Sequence, residues 1–414
     1  MPVETKPVRC FHLSASSIAA FKACPRRFQL GYREGLRPIE DTEAQRMGTN
    51  WHAMHETYHN ALQTCETGGG NAPLDPAQHA LDAVLALLNA AYDQMPVSKT
   101  AFEWATERQI LLTSFVGYLW RWAQDPIKVL ASEVGFKLPL TMPRTGLPLS
   151  TAEALRVGKI DHLIAWGTMV GPLERKSTSK SIASDSDYWE RSQKDTQVSM
   201  YALACRDLQT TGQLAHLAPV LSQGDEPLPG FGNTLYDVWH KPTIKPKTLT
   251  QADTKAFLDA GTYCGQVFTV AQTAVVTDAD GVTPYVKVDG EEVEIEVGKK
   301  GYAIRESPAM YGARLLEDIY ERPDFYYARR EIARTDRDLK KFRGELFNIY
   351  QMQKAFDNTG YWFENEAQCR ATFGCQYIPI CYGGGAEAVC DGTTTPPNFK
   401  RIYVDLTVNT SESD

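Results

Sequence analysis

Two carboxylates and a lysine in the middle of the chain are the residue types of a metal-dependent hydrolytic site. Asp161 closes the sequence Gly-Lys-Ile-Asp, and Glu174 and Lys176 follow within the sequence Glu-Arg-Lys. If both segments form adjacent strands, Glu174 and Lys176 project from one face and Asp161 can meet them there. Carboxylate oxygens bind Mg²⁺ or Mn²⁺, and such an ion activates water for phosphodiester hydrolysis while a lysine stabilises the transition state. The alternative is a surface ion pair on the edge of a strand.

Cysteines form a second group of candidate ligands. Cys369, Cys375 and Cys381 follow one another at six-residue steps, with Pro379 shortly before the last. Three thiolates on one loop can surround an iron–sulfur cluster but leave one coordination site open, so a fourth ligand must come from elsewhere. The alternatives are a zinc site on the same thiolates and unligated structural cysteines, and Cys390 competes as a ligand.

Composition and charge limit the classes of protein that fit. The chain has 414 residues, of which 43% are hydrophobic and 23% charged, and this predicts a sizeable folded core. No run of about 18 apolar residues is present, so we expect no membrane contact. Nine cysteines, an odd number, favour reduced thiols over a disulfide framework and indicate a cytoplasmic location. Because the net charge is −8, any nucleic-acid contact must come from local basic patches.

The hydrophobic periodicity predicts the elements that position these residues. We expect a helix over residues 14–34 that carries Cys24, and a helix between Trp189 and Leu208. Further helices are expected in the N-terminal third, over residues 47–62 and within 76–124. β-prone runs separated by glycine and proline predict strands near residues 128–140, 155–166, 168–178 and 235–242.

The motifs resemble those of a known family. The Gly-Lys-Ile-Asp and Leu-Glu-Arg-Lys segments, followed by a helix with Gln197 and Tyr201 on one face, are similar to RecB-like nucleases of the PD-(D/E)XK superfamily. The resemblance implies an α/β (α+β) restriction-endonuclease-like fold, with a central mixed sheet flanked by helices. The implied catalytic residues are Asp161, Glu174, Lys176, Gln197 and Tyr201. The namesake proline is absent, since Ile160 precedes Asp161, and RecB-like members commonly lack it.

The resemblance also extends the set of metal ligands. The family places a histidine after a Gly-x-x-x-His pattern in an N-terminal helix, which Gly48 and His52 match. An upstream acidic position of the family is matched by Glu133. The implied ligands of Mg²⁺ or Mn²⁺ are His52, Asp161, Glu174 and Glu133. The alternatives are packed or solvated histidines, since His55 and His59 crowd the same helix, and a plain salt bridge for the glutamate.

The cysteines narrow the resemblance to the iron–sulfur branch of the family. AddB-type nucleases and CRISPR-associated RecB-like exonucleases have one cluster cysteine in an N-terminal helix and three after the nuclease core. Cys24 matches the first position. The implied ligands of a 4Fe-4S cluster are therefore Cys24, Cys369, Cys375 and Cys381. Such a cluster would join the two ends of the chain. The six-residue spacing of Cys369, Cys375 and Cys381 is wider than the Cys-x-x-Cys pair that is common in the family.

Local basic patches supply candidate DNA contacts. The predicted contacts are Arg26, Arg27, Arg329, Arg330 and Arg334. The first two flank Cys24, and the others begin a basic cluster that continues to Arg343. Tyr326 and Tyr327 beside this cluster are predicted to stack on unpaired bases. The alternative is a solvated helix, because acidic residues interleave with the arginines.

The predicted organisation has five parts and one activity. In chain order the parts are a helical N-terminal region (1–126), the nuclease core (127–242), a β-rich insertion (243–305), a basic helical and iron–sulfur segment (306–390) and a C-terminal tail (391–414). We expect a Mg²⁺- or Mn²⁺-dependent deoxyribonuclease that acts as an exonuclease on single strands or DNA ends. The resemblance implies recombination, repair or phage DNA metabolism, with a recombinase or helicase as partner. A non-catalytic DNA-binding scaffold is the alternative, and without a P-loop motif the chain is not itself a helicase motor.

Overall fold

The chain folds into both helices and strands, which occur in runs of one type as well as in alternation. A computed structural model describes residues 10–67, 75–151, 153–166, 169–217, 230–277, 281–298, 301–371, 374–385, 389–390 and 394–402. The helices are α1 (Ala15–Ala23), α2 (Pro25–Phe28), α3 (Glu43–Thr67), α4 (Pro76–Ala91), α5 (Ala101–Arg121), α6 (Asp187–Ser192), α7 (Thr196–Thr210), α8 (Gln251–Ala260), α9 (Pro308–Glu321), α10 (Pro323–Tyr326), α11 (Asp336–Thr359), α12 (Glu366–Cys369) and α13 (Ile378–Tyr382). The strands are β1 (Phe11–Leu13), β2 (Leu36–Pro38), β3 (Lys128–Pro139), β4 (Ala154–Trp166), β5 (Met169–Thr178), β6 (Thr234–His240), β7 (Thr262–Tyr263), β8 (Gln266–Val267), β9 (Val270–Thr277), β10 (Gly281–Val288), β11 (Glu291–Glu292), β12 (Ile295–Gly298), β13 (Gly301–Ile304), β14 (Tyr327–Ile332) and β15 (Phe399–Arg401). In these ranges no helix is long and apolar enough to span a membrane, and the predicted tail lies outside them from position 403 onward.

Six of the described strands form a mixed central sheet. β3 pairs antiparallel with β4, β4 with β5, and β14 with β6, whereas β1 is parallel to β4 and β5 is parallel to β6. A parallel pair needs a crossover connection, and α6 and α7 lie in the segment that joins β5 to β6. The strands predicted from the β-prone runs are present, and the expected mixed sheet is confirmed.

Helices cover both faces of this sheet. On one face α1, α7 and α11 pack over β3 and β4, and Leu203, Phe136 and Ile160 belong to the shared core. On the other face α3, α5 and α9 form a second core, in which Trp51 of α3 stacks on Trp239 of β6 with 4.3 Å between the ring centroids. The centre of the sheet is therefore buried on both sides, and close packing fixes the positions of its residues.

The backbone at Cys24 differs from the predicted single helix. α1 ends at Ala23, and Cys24 is extended, with φ −162° and ψ 118°. Pro25 is the cause, because its ring disfavours a helical conformation at the preceding residue and is suited to start the next helix, α2. The prediction of one helix that carries Cys24 is therefore wrong. The cysteine lies at the junction of two helices.

The sequence does not predict strand β14, whose residues are highly charged. Tyr327 and Ile332 at its two ends are buried in cores on opposite faces of the sheet, while Glu331 is exposed. Tyr326 and Tyr327 are 0% and 1% exposed, and the Tyr327 hydroxyl donates to the backbone oxygen of Ser114 at 2.6 Å. The prediction that these two rings stack on DNA bases is wrong, because they are part of the core between the sheet and α5.

Short strands between residues 270 and 305 form the expected β-rich region. β9, β10 and β11 make a small antiparallel sheet, and β12 pairs with β13. Their apolar side chains share a core with α8 and α9, to which Phe257 and Met310 contribute. The division of the chain into five parts stays a prediction.

The N-terminal and C-terminal regions of the chain meet at one edge of the molecule. β2 pairs antiparallel with β15, and Leu30 and Leu36 pack against Tyr377 and Ile380. The Tyr377 hydroxyl donates to the backbone oxygen of Leu36 at 2.9 Å. We call β2, β15 and these four side chains the terminal clasp.

Candidate active site

Asp161, Glu174 and Lys176 come together where strands β4 and β5 separate. The ladder between the two strands ends at His162 and Leu173, so Asp161 and Glu174 lie just beyond the last pair. The backbone N–H of Arg175 donates to Asp161 Oδ2 at 2.9 Å, and Lys176 Nζ donates to Glu174 Oε1 at 2.5 Å. Two carboxylates and an ammonium group therefore share one cleft, as their spacing in the sequence predicts.

Helix α7 brings two more predicted residues to the cleft. Its N-cap, Asp195, accepts the backbone N–H of Gln197 at 2.6 Å and fixes the first turn. Gln197 Oε1 accepts from Lys176 Nζ at 2.6 Å, and Gln197 Nε2 donates to the Tyr201 hydroxyl at 3.0 Å. Glu174, Lys176, Gln197 and Tyr201 thus form one hydrogen-bonded chain that fixes the position of the ammonium group.

Of the histidines on α3, His52 is the one that contacts the carboxylates. Its Nδ1 lies 3.2 Å from Asp161 Oδ2, and its side chain is 33% exposed. His55 is fully buried, and its ring packs edge-on against Phe115 with 4.9 Å between centroids. His59 lies one turn further on, where Arg175 Nη2 is 3.2 Å from its Nε2. The structure therefore separates the histidine at the cleft from His55, which is packed inside, and from the partly buried His59 beside Arg175.

Glu133 has an unusual backbone conformation on β3. Its φ of 53° is in the left-handed region, which non-glycine residues seldom adopt inside a strand. The neighbouring pairs Ser132–His162 and Val134–Ile160 place it opposite Asp161 across the two strands. Its carboxylate forms an ion pair with Lys159. Glu133 thus forms a salt bridge, which is the alternative to a metal ligand at this position. A role of Glu133 in metal binding stays a prediction.

Burial and charge divide the two carboxylates into different protonation states. Burial raises the pKa of Glu174 to about 8, although the adjacent Lys176 ammonium acts in the opposite direction. Burial also acts on Asp161, but the hydrogen bond and charge of His52 together with the Arg175 N–H hold the pKa of Asp161 below its ordinary value. Glu174 and Asp161 outweigh the effect of burial on Lys176 and raise the pKa of that ammonium. Lys176 therefore carries its charge at neutral pH.

The donor groups in the cleft fit a hard divalent cation. Among the residues that the structure describes, no three His, Cys, Asp or Glu side chains are close enough to hold a metal ion as they stand. Glu174 Oε2 is nevertheless buried and accepts no hydrogen bond from the described residues. An unsatisfied buried carboxylate oxygen is costly, and a cation bound by Glu174, Asp161 and His52 would compensate it.

Comparison with protein families identifies the superfamily to which the chain belongs. A family model described as the PD-(D/E)XK nuclease superfamily matches residues 12–382. The chain belongs to this superfamily. Comparison with curated proteins and with solved structures gives no significant match. In the PD-(D/E)XK superfamily, divalent metal ions such as Mg²⁺ typically support the nuclease reaction, which agrees with the donor groups of the cleft.

This PD-(D/E)XK chain has a buried ion network beneath the cleft that the sequence motifs do not reveal. Arg175 stands between Glu174 and Lys176 on β5, so its side chain points to the opposite face of the sheet. There Arg175 Nη1 donates to Asp237 Oδ2 at 2.7 Å and to the Tyr118 hydroxyl at 2.8 Å. Strand alternation predicts the direction of Arg175, but nothing in the sequence identifies Asp237 as its partner.

Arg329 completes this network, which contradicts its predicted role in DNA binding. Its guanidinium is 11% exposed, forms an ion pair with Asp125, and lies 3.2 Å from Asp237 Oδ2. The positive charge of Arg329 is thus paired with carboxylates inside the protein and does not face a phosphate. The prediction of a phosphate contact at Arg329 is therefore wrong.

The other predicted arginines lie in different surroundings. Arg334 is 9% exposed, and its guanidinium donates to Ser199 Oγ at 2.8 Å and to a backbone oxygen of Ser192 at 3.0 Å. Arg330 donates to the backbone oxygen of Ser184 and lies over the ring of Trp189. Arg26 is partly buried and Arg27 is exposed. Burial and internal bonds therefore argue against a phosphate contact at Arg334, while the exposed Arg27 stays a predicted contact.

The four predicted cluster cysteines are neighbours in space. The Asn365 backbone N–H donates to Cys24 Sγ at 3.4 Å, and the Cys369 thiol lies 3.8 Å from the Asn365 carbonyl oxygen. Burial raises the pKa of the Cys375 thiol, and the nearby thiols of Cys24 and Cys369 raise it further. Burial likewise raises the pKa of Cys381 to about 12, with a smaller contribution from Cys375 among its neighbours. Folding thus brings thiols from distant parts of the chain near one another, and among the described residues no three of them are close enough to hold a metal ion as they stand.

The pKa of Glu174 predicts how metal binding depends on pH. A cation requires the carboxylate, so below about pH 8 binding must release the proton of Glu174. We expect the affinity for Mn²⁺ to rise with pH, by up to about tenfold per unit, and to level off above the pKa. Isothermal titration calorimetry across this range measures it, with Glu174→Gln as the control that removes the titrating group. An affinity for Mn²⁺ that stays constant from pH 6 to pH 9 would contradict the assignment.

Proposed function

We propose that this protein is a Mg²⁺- or Mn²⁺-dependent deoxyribonuclease that acts as an exonuclease on single strands or DNA ends. Membership of the superfamily supports a metal-dependent nuclease in general. The observation that carries the proposal for this chain is the convergence of Asp161, Glu174 and Lys176 in one cleft, together with His52. These groups combine cation ligands with a permanent positive charge beside them, which suits phosphodiester hydrolysis.

The residues of the cleft have separate tasks in this proposal. Asp161, Glu174 and His52 hold the metal ion, which when bound lowers the pKa of a water and neutralises negative charge on the phosphate. Lys176 keeps its proton at neutral pH and directs positive charge at the reacting phosphate. Gln197 holds the ammonium group in place through its side-chain oxygen. The His52 side chain is 33% exposed, so DNA can approach the cleft from this side.

A degradation assay tests the proposed activity. End-labelled single-stranded and duplex DNA is incubated with the purified protein and Mg²⁺ or Mn²⁺, and EDTA serves as the control. We expect nucleotides to be released from the ends only when a divalent ion is present. If DNA is bound but stays intact under every metal condition, the non-catalytic scaffold is the better account.

We further propose that Cys24, Cys369, Cys375 and Cys381 hold a 4Fe-4S cluster. The support is their common location and the chemistry of four thiols, two of which lie against Asn365. Backbone N–H donors to cysteine sulfur, such as that of Asn365, are among the groups that tune such clusters. Cys390 lies nearby, with Arg26 Nη1 3.8 Å from its sulfur, and it is the competing ligand.

Two cysteines of equal burial give a matched test of the cluster. Cys24 and Cys65 are each 8% exposed, but Cys65 lies on α3 and outside the proposed ligand set. After anaerobic purification we expect Cys24→Ser to lose most of its iron and visible absorbance, and to melt at a lower temperature than Cys65→Ser. A colourless wild-type protein loaded with zinc, or equal iron content in both variants, would contradict the iron–sulfur proposal.

The biological setting is part of the same proposal. Acting on single strands or ends fits recombination, repair or phage DNA metabolism, in which a recombinase or helicase partner supplies the substrate. Thiolate ligands require a reducing compartment, so we place the protein in the cytoplasm. Co-purification with iron and with single-stranded DNA would support this setting.

A further inference from the structure

A groove runs between helices α1 and α11 and begins at the N-terminal turn of α7. Two cavities of about 540 and 620 Å³ adjoin one another here, and Lys22, Lys341 and Glu345 line both. The first cavity reaches the N-terminal turn of α7, from which Gln197 extends to Lys176 on the other side of the helix. The second reaches Pro25, directly after Cys24. The groove thus connects the region of the active site with the region of the cysteines.

The end of the groove near the active site is positively charged. Lys194 lines the first cavity together with Lys22 and Lys341, against the acidic Asp338 and Glu345. Lys22 forms an ion pair with Glu345. Lys194 and Lys341 are exposed, and neither makes an ion pair within the described part of the chain. Two lysine ammonium groups can therefore reach a phosphate backbone in this part of the groove.

The far end of the groove is apolar and contains an exposed aromatic ring. Met352 and Phe363 line the second cavity and are 46% and 55% exposed. Phe356 supports the Phe363 ring edge-on, with 5.4 Å between centroids and 86° between planes. A large, exposed ring that neighbours hold in place is a suitable platform for stacking an unpaired base.

We propose that this groove binds single-stranded DNA, with phosphates on Lys194 and Lys341 and an unpaired base on Phe363. The inference rests on the proposed nuclease function, whose substrate it specifies. A duplex keeps its bases inside and offers mainly phosphate and sugar to an apolar wall, whereas a single strand exposes both phosphates and bases. The groove has a charged surface followed by an aromatic one, and these match the phosphates and the bases that a single strand exposes. Phe363 takes the role that Tyr326 and Tyr327 cannot fill.

Adjacent lysines on α11 give a matched test of the charged end. Lys341 faces the groove, whereas Lys340 lines a different cavity beside Arg206 and Arg343. Binding of the full-length protein to a fluorescent oligothymidylate is measured by anisotropy in EDTA, at several salt concentrations. For Lys341→Ala we expect weaker binding and a salt slope that is shallower by about 0.7. Lys340→Ala keeps the slope of the wild type; equal slopes for all three proteins overturn the inference.

The aromatic end is tested on the same oligonucleotide and on a duplex. We expect Phe363→Ala to weaken single-strand binding by about fivefold or more, and to leave duplex binding unchanged. Tyr361→Ala is the control, because Tyr361 is 84% exposed and does not line the groove. Equal losses on duplex and single strand, or no loss for Phe363→Ala, overturn the inference and leave the apolar end to a protein partner.

Binding and cleavage can fail separately. If the wild type degrades DNA but Lys341→Ala and Phe363→Ala bind the oligonucleotide normally, the groove is wrong and the nuclease proposal stands. If both variants lose binding as expected but no metal ion supports degradation, the groove is supported and the nuclease proposal fails. Circular dichroism of both variants checks that folding is intact, as the exposure of the two side chains predicts.

Discussion

Replacing Lys176 by alanine should lower the rate of DNA degradation by about a hundredfold to a thousandfold, while binding of DNA changes little. The ammonium group is fixed by Glu174 Oε1 at 2.5 Å and Gln197 Oε1 at 2.6 Å, and its pKa is raised, so it is charged throughout the working range. Removing it takes away positive charge that is directed at the reacting phosphate. The rate is measured under single-turnover conditions with saturating Mn²⁺.

A nearby lysine provides the control for this experiment. Lys180 is exposed and lies just after the end of β5, outside the cleft. Lys180→Ala should degrade DNA at close to the wild-type rate. If Lys176→Ala degrades DNA as fast as Lys180→Ala, the cleft formed by Asp161 and Glu174 is not the active site.

Replacing Asp237 by asparagine should lower the free energy of unfolding by about 3–5 kcal/mol. Its carboxylate is 2% exposed and lies 2.7 Å from Arg175 Nη1 and 3.2 Å from Arg329 Nη2. Asparagine keeps the shape but removes the countercharge of the buried Arg175 guanidinium and one of the two countercharges of Arg329, which keeps its ion pair with Asp125. Urea denaturation followed by circular dichroism measures the change, and the rate of DNA degradation should fall as well, because Arg175 is the neighbour of Glu174 and Lys176.

An exposed aspartate separates burial from charge in this test. Asp324 also pairs with an arginine, Arg121 at 2.9 Å, but it is 85% exposed. Because solvent screens such pairs, Asp324→Asn should unfold at the urea concentration of the wild type. Equal destabilisation by both substitutions would mean that the buried network does not stabilise the fold.

The same network predicts a loss of stability in acid. Burial acts on Asp237, but Arg329 and Arg175 outweigh it and hold the pKa of Asp237 below its ordinary value. A depressed pKa in the folded state stabilises the protein above the unfolded pKa of about 4. This contribution is lost as the pH falls through the folded pKa, so the difference between wild type and Asp237→Asn should shrink below about pH 4.

The cleft could be predicted from the sequence because its chemistry is local. Asp161, Glu174 and Lys176 lie on two paired strands that follow each other in the sequence, and strand alternation alone brings them to one face. Gln197 and Tyr201 are one helical turn apart, so their common face follows from helix geometry. Such relations need only the period of each element and the order in which the elements occur.

Relations between distant segments could not be predicted in this way. Nothing in the charged sequence of β14 shows that it pairs with β6, and so the burial of Tyr326 and the pairing of Arg329 with Asp237 were not foreseen. The choice among the histidines of α3 depends on how that helix is turned against the sheet, which puts His52 at the cleft and His55 in the core. Tertiary packing decides both outcomes. Periodicity predicts which side chains share one face of a helix or strand, but it does not predict which part of the molecule packs against that face.

The terminal clasp has a consequence for the order in which the molecule is assembled. Its two halves, β2 and β15, are far apart in the sequence, so a ribosome completes one half long before the other. Contacts between segments so far apart are slow to form, because the intervening chain must first be ordered. Leu30 and Leu36 therefore lack their partners in the clasp until Tyr377, Ile380 and β15 have been synthesised, and the region around Cys24 reaches its native contacts late.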